Sequence, residues 1–153
     1  MPKTKPINRM RCSLPAISIN EQTARLLLSA FLMQADPTAE ELADLKTAVS
    51  EAVTNAIVHG YPDSGGQIFI TATLYEDRLF RVQIRDTGCG IEDIPLAMTP
   101  LYTTSPEEER AGLGFAVMEA FCDRLRVSSR KGKGTTVTLE KRLTSKQEPG
   151  KAR

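Results

Sequence analysis

The stretch TAEELADLKTAVSEAVTNAIVHG, residues 38–60, decides how this chain is read. Thr38 and Glu41 have the spacing of a capping box, in which two side chains satisfy backbone N–H groups at a helix start. Leu42, Leu45, Val49, Ala52, Val53 and Ala56 then recur with a period near 3.6, which predicts a helix running to about Val58. Glu51 and Asn55 stand four apart, on one helix face, and His59 continues the row. Small residues (Ala48, Ala52, Ala56) flank that row and admit close approach of a ligand or loop. Asparagine is a poor helix former, so Asn55 in mid-helix needs a reason. One reason is chemical: an amide oxygen for a hard cation such as Mg²⁺, with Glu51 one turn away as a general base. The other is a polar helix face with a C-terminal histidine favoured by the helix dipole. The row alone supports both equally.

Working outward toward the N-terminus, residues 7–14 read as a short strand ended by Pro15. Ser18 and Glu21 repeat the capping-box spacing and open a helix to about Gln34, which Asp36-Pro37 breaks. Toward the C-terminus, Tyr61 to Gly66 is a turn, and residues 67–75 and 79–85 form a hairpin. Asp86 to Gly112 is a long loop rich in Gly, Pro, Thr and Ser, of the kind that serves as a lid or binding loop. A helix over about 113–121 follows, then strands over 124–129 and 135–143 around the turn Lys131-Gly-Lys-Gly134. This order predicts an α+β fold, a two-layer α/β sandwich with a mixed sheet and its helices on one face. It forms a single domain over 7–143, with basic tails at 1–6 and 144–153.

Two glycine-rich segments carry further candidate chemistry. In Asp86-Thr-Gly88-Cys-Gly90, a carboxylate at a strand end is placed to accept a hydrogen bond from the exocyclic amine of adenine. Guanine would present an acceptor there instead. Gly88 and Gly90 let the loop pass close to a base; equally, Asp-x-Gly is an ordinary turn. In Arg110-Ala-Gly112-Leu113-Gly114-Phe115, glycines precede a helix N-terminus, whose free N–H groups seat phosphate. Arg110 is a bidentate donor for a terminal phosphate. Thr103 and Thr104 add hydroxyls to the preceding lid. Neither a P-loop nor a full G-x-G-x-x-G is present. Gly65/Gly66 and Gly132/Gly134 read as turns, and Arg25 on the first helix reads, alone, as a solvated charge.

Composition excludes other classes. No apolar run approaches the roughly 18 residues of a membrane helix. Cys12, Cys89 and Cys122 are odd in number with no CxxC, which favours a reduced, cytoplasmic protein without a disulfide framework or zinc site. The net charge of +1 hides a basic start, a basic end and a body, residues 21–140, with 11 basic and 18 acidic residues. An acidic body lacks the coherent basic face of a nucleic-acid binder, so no direct nucleic-acid contact is expected.

Taken together, E51-x-x-x-N55-x-x-x-H59-G60, D86-x-G88-x-G90 and R110-x-G112-L-G114-F resemble the GHKL superfamily of ATPases and kinases. Residues 36–61 and 100–115 resemble, more closely, the anti-sigma factor serine kinases of spore-forming bacteria. That resemblance implies a Bergerat-type sandwich with ATP bound between the long helix and the lid. It implies Asn55 as the Mg²⁺ ligand, Asp86 as the adenine reader, and Gly88, Gly90, Thr103, Thr104, Arg110, Gly112, Leu113, Gly114 and Phe115 around the nucleotide. Glu51 would activate a serine hydroxyl on an anti-anti-sigma protein. It further implies a homodimer that clamps a sigma factor of the sigma-F type, with Arg25 as a partner contact. Two alternatives stand beside this reading. One is an ATP-binding module that sequesters sigma without phosphotransfer. The other is a histidine-kinase fragment, which needs a separate phospho-accepting histidine, whereas the one histidine lies inside the asparagine row.

Overall fold

The structure is a computed structural model that describes residues 4–62, 65–99 and 114–144. Its elements are β1 (Pro6–Pro15), α1 (Ile19–Leu32), α2 (Ala39–Asn55), β2 (Gln67–Tyr75), β3 (Leu79–Asp86), the one-turn α3 (Ile94–Ala97), α4 (Gly114–Phe121), β4 (Arg124–Arg130) and β5 (Gly134–Arg142). The expected strands and the two long helices are present.

The two capping signals part company. Thr38 Oγ1 accepts the Glu41 N–H at 3.1 Å, and Glu41 Oε1 accepts the Thr38 N–H at 2.9 Å, so the box at α2 is complete. Ser18 makes no side-chain cap, because its own backbone is already helical (φ −54°, ψ −38°). A capping residue needs extended backbone to turn its oxygen onto the N3 amide. Here the Glu21 N–H reaches only the Ser18 carbonyl, at 3.2 Å. At its far end α2 does not run on as α-helix to Val58. Residues Ala56–Gly60 form a π-turn. Such wide turns in helices are frequent at functional sites.

The five strands form one sheet in the order β1-β2-β3-β5-β4. Every neighbouring pair is antiparallel, which corrects the expected mixed sheet. The connection from β3 through α4 to β4 leaves those two strands parallel. β5 then hairpins back and inserts between them, so no parallel neighbours remain.

One sheet face is apolar and one polar. Ile68, Ile70, Ala72 and Leu74 on β2, Phe80, Val82 and Ile84 on β3, and Val137 and Leu139 on β5 are all buried. They pack against Ala24, Leu28 and Leu32 of α1, Leu45, Val49, Ala52 and Val53 of α2, and Phe115 and Met118 of α4. Burying each large apolar side chain contributes about 1.5–3 kcal/mol, so this layer holds the sandwich together. Asp86 ends β3 on this inner face, paired in register with Ile68 and Thr135.

Candidate active site

Three elements converge at the C-terminal half of α2. Gly114, the first residue of α4, sits directly over the Glu51–Asn55 face. A Cβ added there would lie 3.6 Å from both Asn55 Oδ1 and Glu51 Oε2. A side-chain amide oxygen and a carboxylate oxygen therefore face the same backbone position at a helix start. A helix start concentrates unpaired N–H groups and partial positive charge, which suits an anion.

Below this pair, the π-turn packs on the end of β3. A Cβ on Gly60 would come within 2.8 Å of the Asp86 Cγ, and one on Gly88 would overlap the Gly60 carbonyl. The Cys89 N–H donates to that same carbonyl at 2.9 Å. Only glycine at 60 and 88 permits this approach of helix end, strand end and loop. Gly90 adopts φ +76°, in the left-handed region, and the Gly132 N–H donates to the Cys89 carbonyl at 2.6 Å. The Asp86 loop is thus tied to α2 on one side and to the β4–β5 turn on the other.

Asp86 is 5% exposed, and its Oδ1 accepts the Gly88 N–H at 3.0 Å. Burial pushes its carboxyl above the ordinary 3.8. The amides of Gly88 and Thr135 and the charge of Arg85 oppose that without cancelling it. The sequence did not point to Tyr61, yet its hydroxyl donates to the Gln67 carbonyl at 2.7 Å and accepts the Thr87 N–H at 2.8 Å. It clamps the start of the Asp86 loop to the start of β2. Nothing in its spacing distinguished Tyr61 from an ordinary turn residue; only the fold brings residues 61, 67 and 87 together.

A cleft of about 870 Å³ lies between α1 and α2. Glu51, Asn55 and His59 line it, and so do Arg25, Lys46 and Ser50. Arg25 pairs with Glu21 one turn away at 3.4 Å. The residue that alone reads as a solvated charge therefore shares a cleft with Glu51. Asp86 and Gly88 do not line this space; they lie at the end of α2, where Gly60 packs against Asp86. Of the nucleotide residues expected from sequence, Asn55, Asp86, Gly88, Gly90, Gly114 and Phe115 fall within the described residues, Phe115 with its side chain in the core. Thr103, Thr104, Arg110, Gly112 and Leu113 lie outside them.

The described residues contain no cluster of three or more His, Cys, Asp or Glu able to hold a metal ion. This donor set fits Mg²⁺ brought in with a nucleotide, because that ion takes one or two protein oxygens, phosphate oxygens and water. No described helix is long and apolar enough to cross a membrane.

Residues 14–141 match the family of histidine kinase-like ATPase domains, and the chain belongs to that family. Solved structures agree. The RsbU and RsbW domains of Rv1364c from Mycobacterium tuberculosis superpose with a TM-score of 0.66 at 28% identity, covering 90% of this chain and 33% of that one. The catalytic domain of the histidine kinase ThkA shares the fold at TM-score 0.53 and 16% identity, covering 90% of this chain and 97% of that one. Within the family the chain belongs with the anti-sigma F factors. It is 53% identical to that of Shouchella clausii over 139 residues, 90% of this chain and 94% of the relative. It is 49% identical to that of Priestia megaterium over 139 residues, 90% and 95%, and 50% identical to that of Clostridium acetobutylicum over 136 residues, 89% and 94%.

Proposed function

We propose that this protein is a cytoplasmic, homodimeric anti-sigma factor that binds and inactivates a sporulation sigma factor, and that it uses Mg-ATP to phosphorylate a serine on its anti-anti-sigma antagonist. The observation that carries the kinase half is the convergence of Glu51, Asn55 and the start of α4 on one point. The family membership carries the anti-sigma half.

In this reading Asp86 accepts the adenine amine, and Gly60 and Gly88 hold the carboxylate where a base can reach it. Asn55 Oδ1 would hold Mg²⁺, which would supply positive charge against the phosphates, the terminal group included. The N-terminus of α4, with Arg110 and the hydroxyls of Thr103 and Thr104, steadies that group. Glu51 accepts the proton of the substrate serine as its Oγ bonds to the γ-phosphorus. The bond from that phosphorus to the bridging oxygen breaks, and ADP carries away the electron pair. Phosphoryl transfer of this kind depends mostly on positioning and charge neutralisation. The shared cleft supports that route: a partner bound at Arg25 would lie on the same cleft as Glu51.

The test is Glu51→Gln with Mg-ATP and the anti-anti-sigma candidate, read as phosphoserine by mass spectrometry. Loss of a general base costs on the order of 10²–10⁴ in rate, with ATP affinity nearly unchanged. Undiminished phosphorylation by the variant removes Glu51 as the base. A wild-type protein that binds sigma and never phosphorylates the antagonist leaves a sequestering module that uses ATP as a structural ligand.

A further inference from the structure

The helix-free face of the sheet carries a concentration of arginines. Strand register sets its rows. Arg9, Thr73, Arg81, Glu140 and Arg124 cross the sheet in one line. Arg11, Thr71, Gln83, Thr138 and Arg126 form the next, and Ser13, Phe69, Arg85, Thr136 and Ser128 the third. Arg130 follows one step further along β4. Every cation in these rows is arginine, and the one acid in them, Glu140, pairs with Arg81 at 3.4 Å. The inward neighbours on β4, Leu125 and Val127, pack on the core, which fixes the arginines outward.

We propose that this face binds the sugar–phosphate backbone of nucleic acid. Its sign is opposite to that of the body as a whole, which has 18 acids against 11 bases between residues 21 and 140. A face serving only solubility mixes both signs. Guanidinium groups match phosphate geometry through paired donors, and the Ser and Thr hydroxyls between them are further phosphate donors. Adjacent strands lie about 4.8 Å apart, so the rows span roughly 19 Å. A protein partner would need an apolar centre to bury. The two aromatics here are already covered, Phe69 by Arg85 with 4.3 Å from guanidinium carbon to ring centre and Tyr75 by Arg81 at 5.0 Å. Of the exposed large apolar residues, Ile19, Leu26, Leu27 and Met33 belong to α1 and its end, and Ile7 alone lies on a strand of the sheet, at the start of β1. The face is not visible in the sequence, because arginines two apart on separate strands merge into one face only once the strands pair.

The binding is independent of the phosphotransfer reading, since the face lies on the opposite side of the sheet from α2. The test is fluorescence anisotropy of short labelled single-stranded DNA, RNA and duplex DNA with the full chain, between about 50 and 200 mM salt. The expected Kd for the best of the three is about 10⁻⁶–10⁻⁴ M, and log K falls with log salt at a slope of about −4 to −5 on duplex if some five arginines each meet a phosphate. Arg11→Glu with Arg126→Glu flattens that slope by about two and weakens binding at least tenfold at low salt. ATP affinity and the circular dichroism spectrum stay at wild-type values. Four results overturn the proposal. They are no binding at the lowest salt, binding untouched by the double variant but lost when Lys146, Lys151 and Arg153 are neutralised, equal affinity for poly-glutamate, or burial of this face against a second copy in sedimentation experiments.

Discussion

Replacing Asp86 with Asn separates nucleotide recognition from folding. The carboxylate is buried, with Oδ1 on the Gly88 N–H. Asn is nearly isosteric and keeps one acceptor oxygen, but it turns the other acceptor into a donor. Facing an adenine amine, that donor meets a donor. A hydrogen bond to a charged group is worth about 1.5–3 kcal/mol, and 1.4 kcal/mol is tenfold, so ATP affinity should fall roughly 10- to 150-fold. Stability should respond differently. Losing one acceptor for a backbone amide costs about 0.5–1.5 kcal/mol, and removing a charge from a buried site acts in the opposite direction. The net change should lie within about 1 kcal/mol. The pH dependence gives an independent check. The folded-state pKa of Asp86 is raised by burial, so the folded protein holds this proton more tightly than the unfolded chain. On this account stability is highest below the ordinary 3.8 and declines as pH rises through the raised value. The Asp86→Asn variant has no proton to lose there, so it lacks that decline. ATP binding by the wild type should weaken as acid protonates the carboxylate, while the variant's residual binding should not follow that titration. Calorimetric titration with ATP, paired with urea unfolding, measures both quantities. Unchanged ATP affinity would take Asp86 out of the adenine site. A loss of several kcal/mol in stability would show that the variant acts through folding.

Other substitutions follow from the same contacts. Gly88→Ala drives a methyl group into the Gly60 carbonyl, so it should cost about 1–3 kcal/mol by overpacking and abolish tight ATP binding; thermal unfolding and calorimetry together test this, and wild-type behaviour in both sinks the close-packing account. Thr38→Ala removes the α2 cap and should cost about 1 kcal/mol, a drop in Tm of roughly 2–4 °C, whereas Ser18→Ala, which removes no cap hydrogen bond, should stay within about 0.5 kcal/mol. Glu41 is desolvated, yet it accepts hydrogen bonds from the Thr38 and Thr144 amides that hold its carboxyl below the ordinary 4.5. Its stabilisation is therefore present above that value and lost as pH falls through the depressed one. A Glu41→Gln variant should flatten the acid limb of a stability–pH curve, and an unchanged limb would contradict the assignment.

Much of the fold was legible because its signals are local. The period of Leu42 to Ala56 and the Thr38–Glu41 spacing fixed α2, and alternation along residues 67–85 marked a hairpin. The Ser18 signal failed because the same four-residue spacing carries no information about whether residue 18 is extended or already helical. The candidate site was legible as three separate boxes. That Gly60 and Gly88 are cut to fit Asp86, that Tyr61 bridges two segments, and that Arg25 shares a cleft with Glu51 were not, since each contact joins residues far apart in sequence.

By itself the sequence determined the helices, the hairpins, the acceptor groups at Glu51, Asn55 and Asp86, and the family. Short-range periodicity and residue chemistry need no partner to be read. Only the tertiary structure decided that β5 lies between β3 and β4, making every pairing antiparallel. The same arrangement gathers arginines from three strands on one face, against the sign of the surrounding chain. Strand order depends on which apolar faces can be buried together, and charge depends on which side chains those pairings leave outside; neither is a property of any one segment.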